Sequence, residues 1–290
     1  SEMCIRDRAY DNAKDFFDTG ITWSNSLNVA QMLDKSSYSI SLGNTHQDGI
    51  ISSTGMDRYN VKVSADTKLT NNWSSGFTAN YITTSIDKAV TSGNGLLRTV
   101  YAAPPSYDLA GIPSHVDGNP YTQNSFRGSF DNAYWAMENN KFTEDTNRFF
   151  GNVYASYQTD FGTTNHKLNA KYMVGVDAYT THYVDSYGYG SNTGGGRGQI
   201  ENYGWTNATY NSLLTINYDW RINEDWGLNA VLGNEIIQSN RKKYYEYGTN
   251  YNFPGWNHIN NATTQQTEEE TWKNRTAVSY THLTLPTTSR

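Results

Sequence analysis

The sequence predicts an all-β fold: an antiparallel up-and-down transmembrane β-barrel fragment, about nine strands of a larger barrel, with short turns alternating with long loops. Three observations predict it. Apolar and polar residues alternate with a period of two over long stretches, the connections between those stretches are short and long in turn, and aromatic residues collect beside the short ones. Composition is compatible with an ordered chain, because 10 Phe, 8 Trp and 23 Tyr outnumber the 28 acidic residues, whereas disordered chains are poor in rings. No run approaches the roughly 18 apolar residues that a membrane-spanning helix needs. A membrane strand needs only about ten residues of alternation, so a barrel stays open.

The strands follow in order. Alternation begins weakly over Thr22 to Met32, and is clear in Ser37 to His46, where Tyr38, Ile40 and Leu42 share one side and Ser37, Ser39 and Ser41 the other. Arg58 to Thr70 repeats it with Tyr59, Val61, Val63 and Ala65 against Asn60, Lys62, Ser64 and Asp66. Trp73 to Thr84 and Thr146 to Thr159 are weaker runs. Asn165 to Thr180 is the clearest, setting Leu168, Ala170, Tyr172, Val174 and Val176 against Lys167, Asn169, Lys171 and Asp177. Asn207 to Trp220 places Tyr210, Leu214, Ile216 and Tyr218 on one side, and Trp226 to Gln238 and Glu270 to Ala277 complete the set. The apolar set Leu168, Tyr172, Val174, Val176, Tyr210, Leu214, Ile216 and Tyr218 is expected to face lipid, and the polar set a lumen.

Short links over 34–36, 70–72, 160–165 and 221–225 alternate with longer ones over 47–57, 85–145, 181–206 and 239–267. Such asymmetry belongs to outer-membrane barrels, with tight periplasmic turns and long external loops. Trp73, Tyr157, Phe161, Trp220 and Trp226 lie beside the short links, where an interfacial girdle would hold amphipathic rings at headgroup depth.

The formal charge is -6, from 22 basic and 28 acidic residues, and gives no electrostatic footprint for nucleic acid. Cys4 is the single cysteine, which excludes an internal disulfide and a CxxC site. His46, His115, His166, His182 and His258 never fall at HxH or HxxxH spacing, so no metal site is expected. The glycines between Gly188 and Gly198 lack the GK[ST] ending of a phosphate loop and read as a loop tip. No GxSxG elbow or spaced acid pair supports catalysis. No cofactor is expected, and the chain is read as a non-enzyme.

At the ends, residues 1–8 and 278–290 resemble translated sequencing adapter and are set aside as artefact, leaving 9–277 as barrel. Within that interior, the run Asp15 to Gly20, Ser37 to Gly43, Gln47 to Ile51, Arg58 to Asn60, Ala103 to Asp108 with Gly111, Asp117 to Pro120 and Asn147 to Asn152 together resemble SusC/RagA-type TonB-dependent outer-membrane transporters. The resemblance implies residence in a bacterial outer membrane and uptake of an oligosaccharide or peptide too large for porins. It also implies a SusD-like surface lipoprotein as lid, and TonB acting through an N-terminal plug region that this stretch does not contain.

Binding residues sit preferentially on loops. Tyr134 and Trp135 in the longest link, Tyr183, Tyr187 and Tyr189 in the glycine-rich one, and Tyr245, Tyr247, Tyr251 and Trp256 in the last are therefore candidates for substrate or lid contact. Flat rings with a polar edge suit sugar faces and protein lids, and equally suit a loop packing on itself. The same features would also serve a soluble secreted all-β carbohydrate-binding or adhesin module. Detergent dependence separates the two, because a barrel wall aggregates without lipid.

Overall fold

A computed structural model describes residues 9–90 and 95–284. It contains nine strands in one sheet: β1 Thr22–Met32, β2 Ser36–Asp48, β3 Gly55–Lys68, β4 Trp73–Lys88, β5 Lys141–Thr159, β6 His166–Tyr187, β7 Gln199–Arg221, β8 Gly227–Tyr251 and β9 Ala262–Thr284. Every strand pairs antiparallel with its sequence neighbour, in the order β1 to β9. The up-and-down expectation therefore holds in full. Alternation sets the sidedness of each strand, since a period of two puts its apolar side chains on one side of the pleat.

Register carries that sidedness across the sheet. Val29, Ile40, Val63, Ala79, Gly151, Val176 and Tyr210 are successive cross-strand partners, and so are Leu27, Leu42, Val61, Tyr81, Phe149 and Ala178. Ile40, Leu42, Tyr81, Phe149, Val153, Tyr172, Val174, Tyr210 and Leu232 are large, apolar and exposed, and all lie on this one face. The eight residues expected to meet lipid share it too. The opposite face carries Lys62, Asp66, Arg148, Lys171 and Asp177 at the same depth.

The short turns reveal the strand tilt. From Met32 the partners run through Ser37, Asp66, Gly76, Tyr154 and Met173 to Leu213, yet β7 continues eight residues further, to Arg221. Eight residues along a strand cover about 26 Å, and the six strand steps between the first and last short turns cover about 29 Å. Level turns thus require a tilt of about 40°, within the range that barrel closure imposes.

On the apolar face, charge is absent from Trp73 to Ser85 of β4, from Asn147 to Thr159 of β5 and from Leu228 to Asn240 of β8, and appears next at Asp87, Asp145 and Lys242. Thirteen residues at that tilt span about 30 Å along the normal, the thickness of a hydrocarbon core. β9 departs from the pattern, with Lys273 and Arg275 on the apolar face and Trp272, Val278 and Tyr280 on the polar one. Its residues 278–284, set aside in the sequence as adapter-like, pair with Asn229–Glu235, while 1–8 and 285–290 lie outside the described residues.

Strand length grows from 11 residues in β1 to 25 in β8. This corrects the expected loops: Tyr183 and Tyr187 belong to β6, and Tyr245, Tyr247 and Tyr251 to β8. The ladder continues where apolar alternation stops, because above the charge-free band both faces are polar.

Between β4 and β5, and before β1, the chain builds a cap. Its helices are α1 Asn12–Phe16, α2 Leu96–Ala102 and α3 Ala133–Asn139. Phe16, Ile51, Leu96, Val100, Leu109, Ala133, Trp135 and Ala136 form its core. Asn132 starts α3, its side chain accepting from the Tyr134 and Trp135 amides, and buried Asn12 accepts from the Leu109 amide at 3.0 Å.

Candidate functional site

The polar face near the loop end carries a ridge of rings and carboxylates. Glu144, Tyr183, Tyr203, Tyr245 and Glu268 follow one another as partners across β5 to β9, and the row above them reads Phe142, Asp185, Glu201 and Tyr247. Tyr183 and Tyr203 stack with centroids 4.8 Å apart and planes 5° from parallel. Their faces are thus used on each other, and they present edges and hydroxyls. Tyr203 donates to Asp185 Oδ2 at 3.1 Å. Lys88 Nζ lies 4.5 Å over the Tyr183 ring and 3.3 Å from Glu144 Oε2.

Tyr203 and Trp205 were not among the residues singled out from sequence, although they sit at the centre of the ridge. Both lie within 181–206, which the sequence reads as a loop. Odd positions Tyr203, Trp205 and Asn207 continue the polar side of β7 without a break, and that parity was the available signal. Trp205 packs 5.6 Å from Tyr183, with the Arg241 guanidinium 5.4 Å from its own ring.

The remaining candidates divide. Tyr187 borders the ridge edge-on to Phe142 at 5.2 Å, and with Lys88 and Phe142 it meets Leu96, Ala136 and Met137 of the cap around a small pocket. Trp135 and Tyr251 have no exposed surface. The Trp135 indole donates to Pro120 O at 2.8 Å inside the cap, and Tyr251 packs with Ile200 and Ala262. These two rings serve loop packing, because the chain's own residues enclose them. Tyr134 lies against Phe16, its phenol donating to Asp15 O. Burial, and then the nearby Asp15, Asp18 and Asp108 carboxylates, raise its pKa above the ordinary tyrosine value and keep it a donor. Tyr189 packs against the Ile200 cluster. Trp256 is exposed at the β8–β9 loop, stacked between Phe253 and His258 at 5.8 and 5.0 Å.

At the other end, Trp73 and Tyr157 are cross-strand partners on the apolar face, Trp220 joins that face from β7, and Phe161 and Trp226 stand on the short turns. Among the described residues, no group of three or more His, Cys, Asp or Glu could hold a metal ion. With an apolar face that is free of charge through the band on β4 to β8, and a charged, ring-lined opposite face on tilted strands, the sheet has the make-up of a barrel wall.

Comparison with solved structures agrees on the fold. The RagAB peptide importer in its closed-closed state matches with a TM-score of 0.76 at 15% identity, over 96% of this chain and 31% of that one. Its open-open state gives 0.75 at 14%, again over 96% and 31%. A further structure of the RagAB peptide transporter gives 0.73 at 13%, over 96% and 32%. The chain therefore spans about a third of the length of the structures it matches. No family model matches the sequence, and no curated protein does.

Proposed function

We propose that this chain forms part of the wall and external loops of a TonB-dependent outer-membrane importer of the SusC/RagA type, which takes up oligosaccharides or peptides and performs no catalysis of its own. The observation that carries the reading is the contrast between the faces. An exposed apolar band about 30 Å tall that carries no charge on β4 to β8 has no use in water, while Arg148, Asp177, Lys171 and Asp66 behind it suit a wet lumen. Likeness in fold to the RagAB peptide importer supports the same reading.

In this reading the long-loop end faces outward and meets a SusD-like lipoprotein lid, with Tyr134, Tyr189 and Trp256 nearest to it. Tyr183, Tyr187, Tyr245 and Tyr247 line the cargo path. TonB acts from the periplasm through a plug that belongs to the rest of the protein. The test is uptake by cells producing the intact protein, using labelled oligosaccharide and oligopeptide pools with and without a proton-motive-force uncoupler. Uncoupler-sensitive accumulation that disappears on deletion of the gene is expected. Outer-membrane fractions free of the protein, or accumulation indifferent to deletion, would overturn the proposal.

A further inference from the structure

The ridge repeats one unit three times: Tyr183 beside Glu144, Tyr203 bonded to Asp185, and Tyr245 beside Glu201. The first unit is occupied, because Lys88 places its ammonium over the Tyr183 ring and against Glu144. The other two are not neutralised. Among the described residues, no Lys, Arg or His comes within ion-pair distance of Asp185 or Glu201. Yet these two carboxylates are direct cross-strand partners on β6 and β7, an arrangement that costs stability unless a cation intervenes. Both are half-buried among tyrosines.

Taking the importer reading as its basis, we infer that the Asp185–Glu201 pair, framed by Tyr203, Tyr245 and Tyr247, binds an alkylammonium or guanidinium group of the cargo, in the way the chain's own Lys88 occupies the neighbouring unit. Two carboxylates are too few for calcium, which takes six to eight oxygens. Ring edges and faces beside the charge favour an organic cation, whose apolar stem they can cover. The cationic group can come from a basic peptide or from an amino sugar, since both present protonated amines.

The test uses the intact protein in detergent micelles and four fluorescent probes: an oligolysine, its fully acetylated form, a glucosamine oligomer and its N-acetylated form. At least one free-amine probe is expected to bind about tenfold more tightly than its acetylated twin, and Glu201→Gln to abolish that difference. The better free-amine probe names the source as peptide or amino sugar. Lys88→Met vacates the first unit and is expected to tighten binding of the longer cation about two- to fivefold, a gain that mere structural damage does not produce. Binding indifferent to acetylation, unaltered by Glu201→Gln, or weakened by Lys88→Met would overturn the inference. Charge-blind binding with uptake intact removes this site and leaves the importer standing. Charge-selective binding without uptake does the reverse.

Discussion

Trp73 and Tyr157 face each other across β4 and β5, ring centroids 4.9 Å apart at 51°, on the apolar face beside short turns. Trp220 holds the matching place on β7, stacked on His166 at 5.6 Å. Rings with an apolar body and a polar edge settle at headgroup depth. Variants retaining Trp73 or Trp220 as the single tryptophan are therefore expected to be quenched most by lipids brominated near the headgroup. One retaining Trp205, on the polar face, is expected to escape quenching; similar quenching of all three would contradict the sidedness.

Val174 and Leu214 lie on the apolar face of β6 and β7, while Asn169 lies on the polar face of β6. Val174→Arg or Leu214→Arg is expected to cost about 2–4 kcal/mol in a bilayer, because a guanidinium near the midplane loses its hydration. Asn169→Arg should be nearly neutral. Urea unfolding in lipid vesicles followed by gel mobility measures all three, and equal costs on both faces would refute the assignment.

These faces are readable in the sequence because opposite polarity alternates at every second residue along the strands. β1 was placed at its observed bounds, Thr22–Met32, from alternation alone. The upper halves of β6 to β8 were not readable. There Asp185, Glu201 and Tyr247 share the polar face while Lys242 and Glu246 stand on the other, so backbone pairing persists without any contrast for the sequence to display. Nor were α1, α2 and α3, at five to seven residues, long enough to show a 3.6-residue period. The candidate site suffered accordingly. Tyr183, Tyr187, Tyr245 and Tyr247 stand out in the sequence as rings but not as strand residues, and Tyr203 and Trp205, which join them in a ridge, do not stand out at all.

Trp135 anchors the cap and has no exposed surface. Trp135→Ala is expected to cost the cap about 3–5 kcal/mol, and Asn132→Ala, which removes the start of α3, about 1 kcal/mol. Because the strands are held by their own ladder, the damage should stay local. Limited proteolysis is expected to cut within 95–140 in both variants while the heat-modifiable band of the barrel persists; loss of that band would show the cap to be part of the barrel's stability.

Arg148 grips Asp177 with two bonds, 2.9 and 2.6 Å, across β5 and β6. Both side chains remain substantially exposed, at 46% and 38%, so water and salt screen the pair. Asp177→Asn is expected to cost less than about 1 kcal/mol. A loss several times larger in the same urea assay would mean that the polar face is drier than a water-filled lumen allows.

The steady lengthening from β1 to β8 has an architectural outcome. At a tilt of about 40°, eleven residues rise about 28 Å and twenty-five about 63 Å, so the wall on its own would have a sloping rim. The insertion between β4 and β5 stands over the low side and reaches the loops at the tops of the tall strands: Asp131 accepts from the Ser191 hydroxyl and the Asn192 amide, and Asn257 donates to Asn139 O. The insertion thus ties the short-strand flank to the long-strand flank through side-chain bonds. A shorter insertion would leave Ser191, Asn192 and Asn257, at the ends of the tall strands, without those partners.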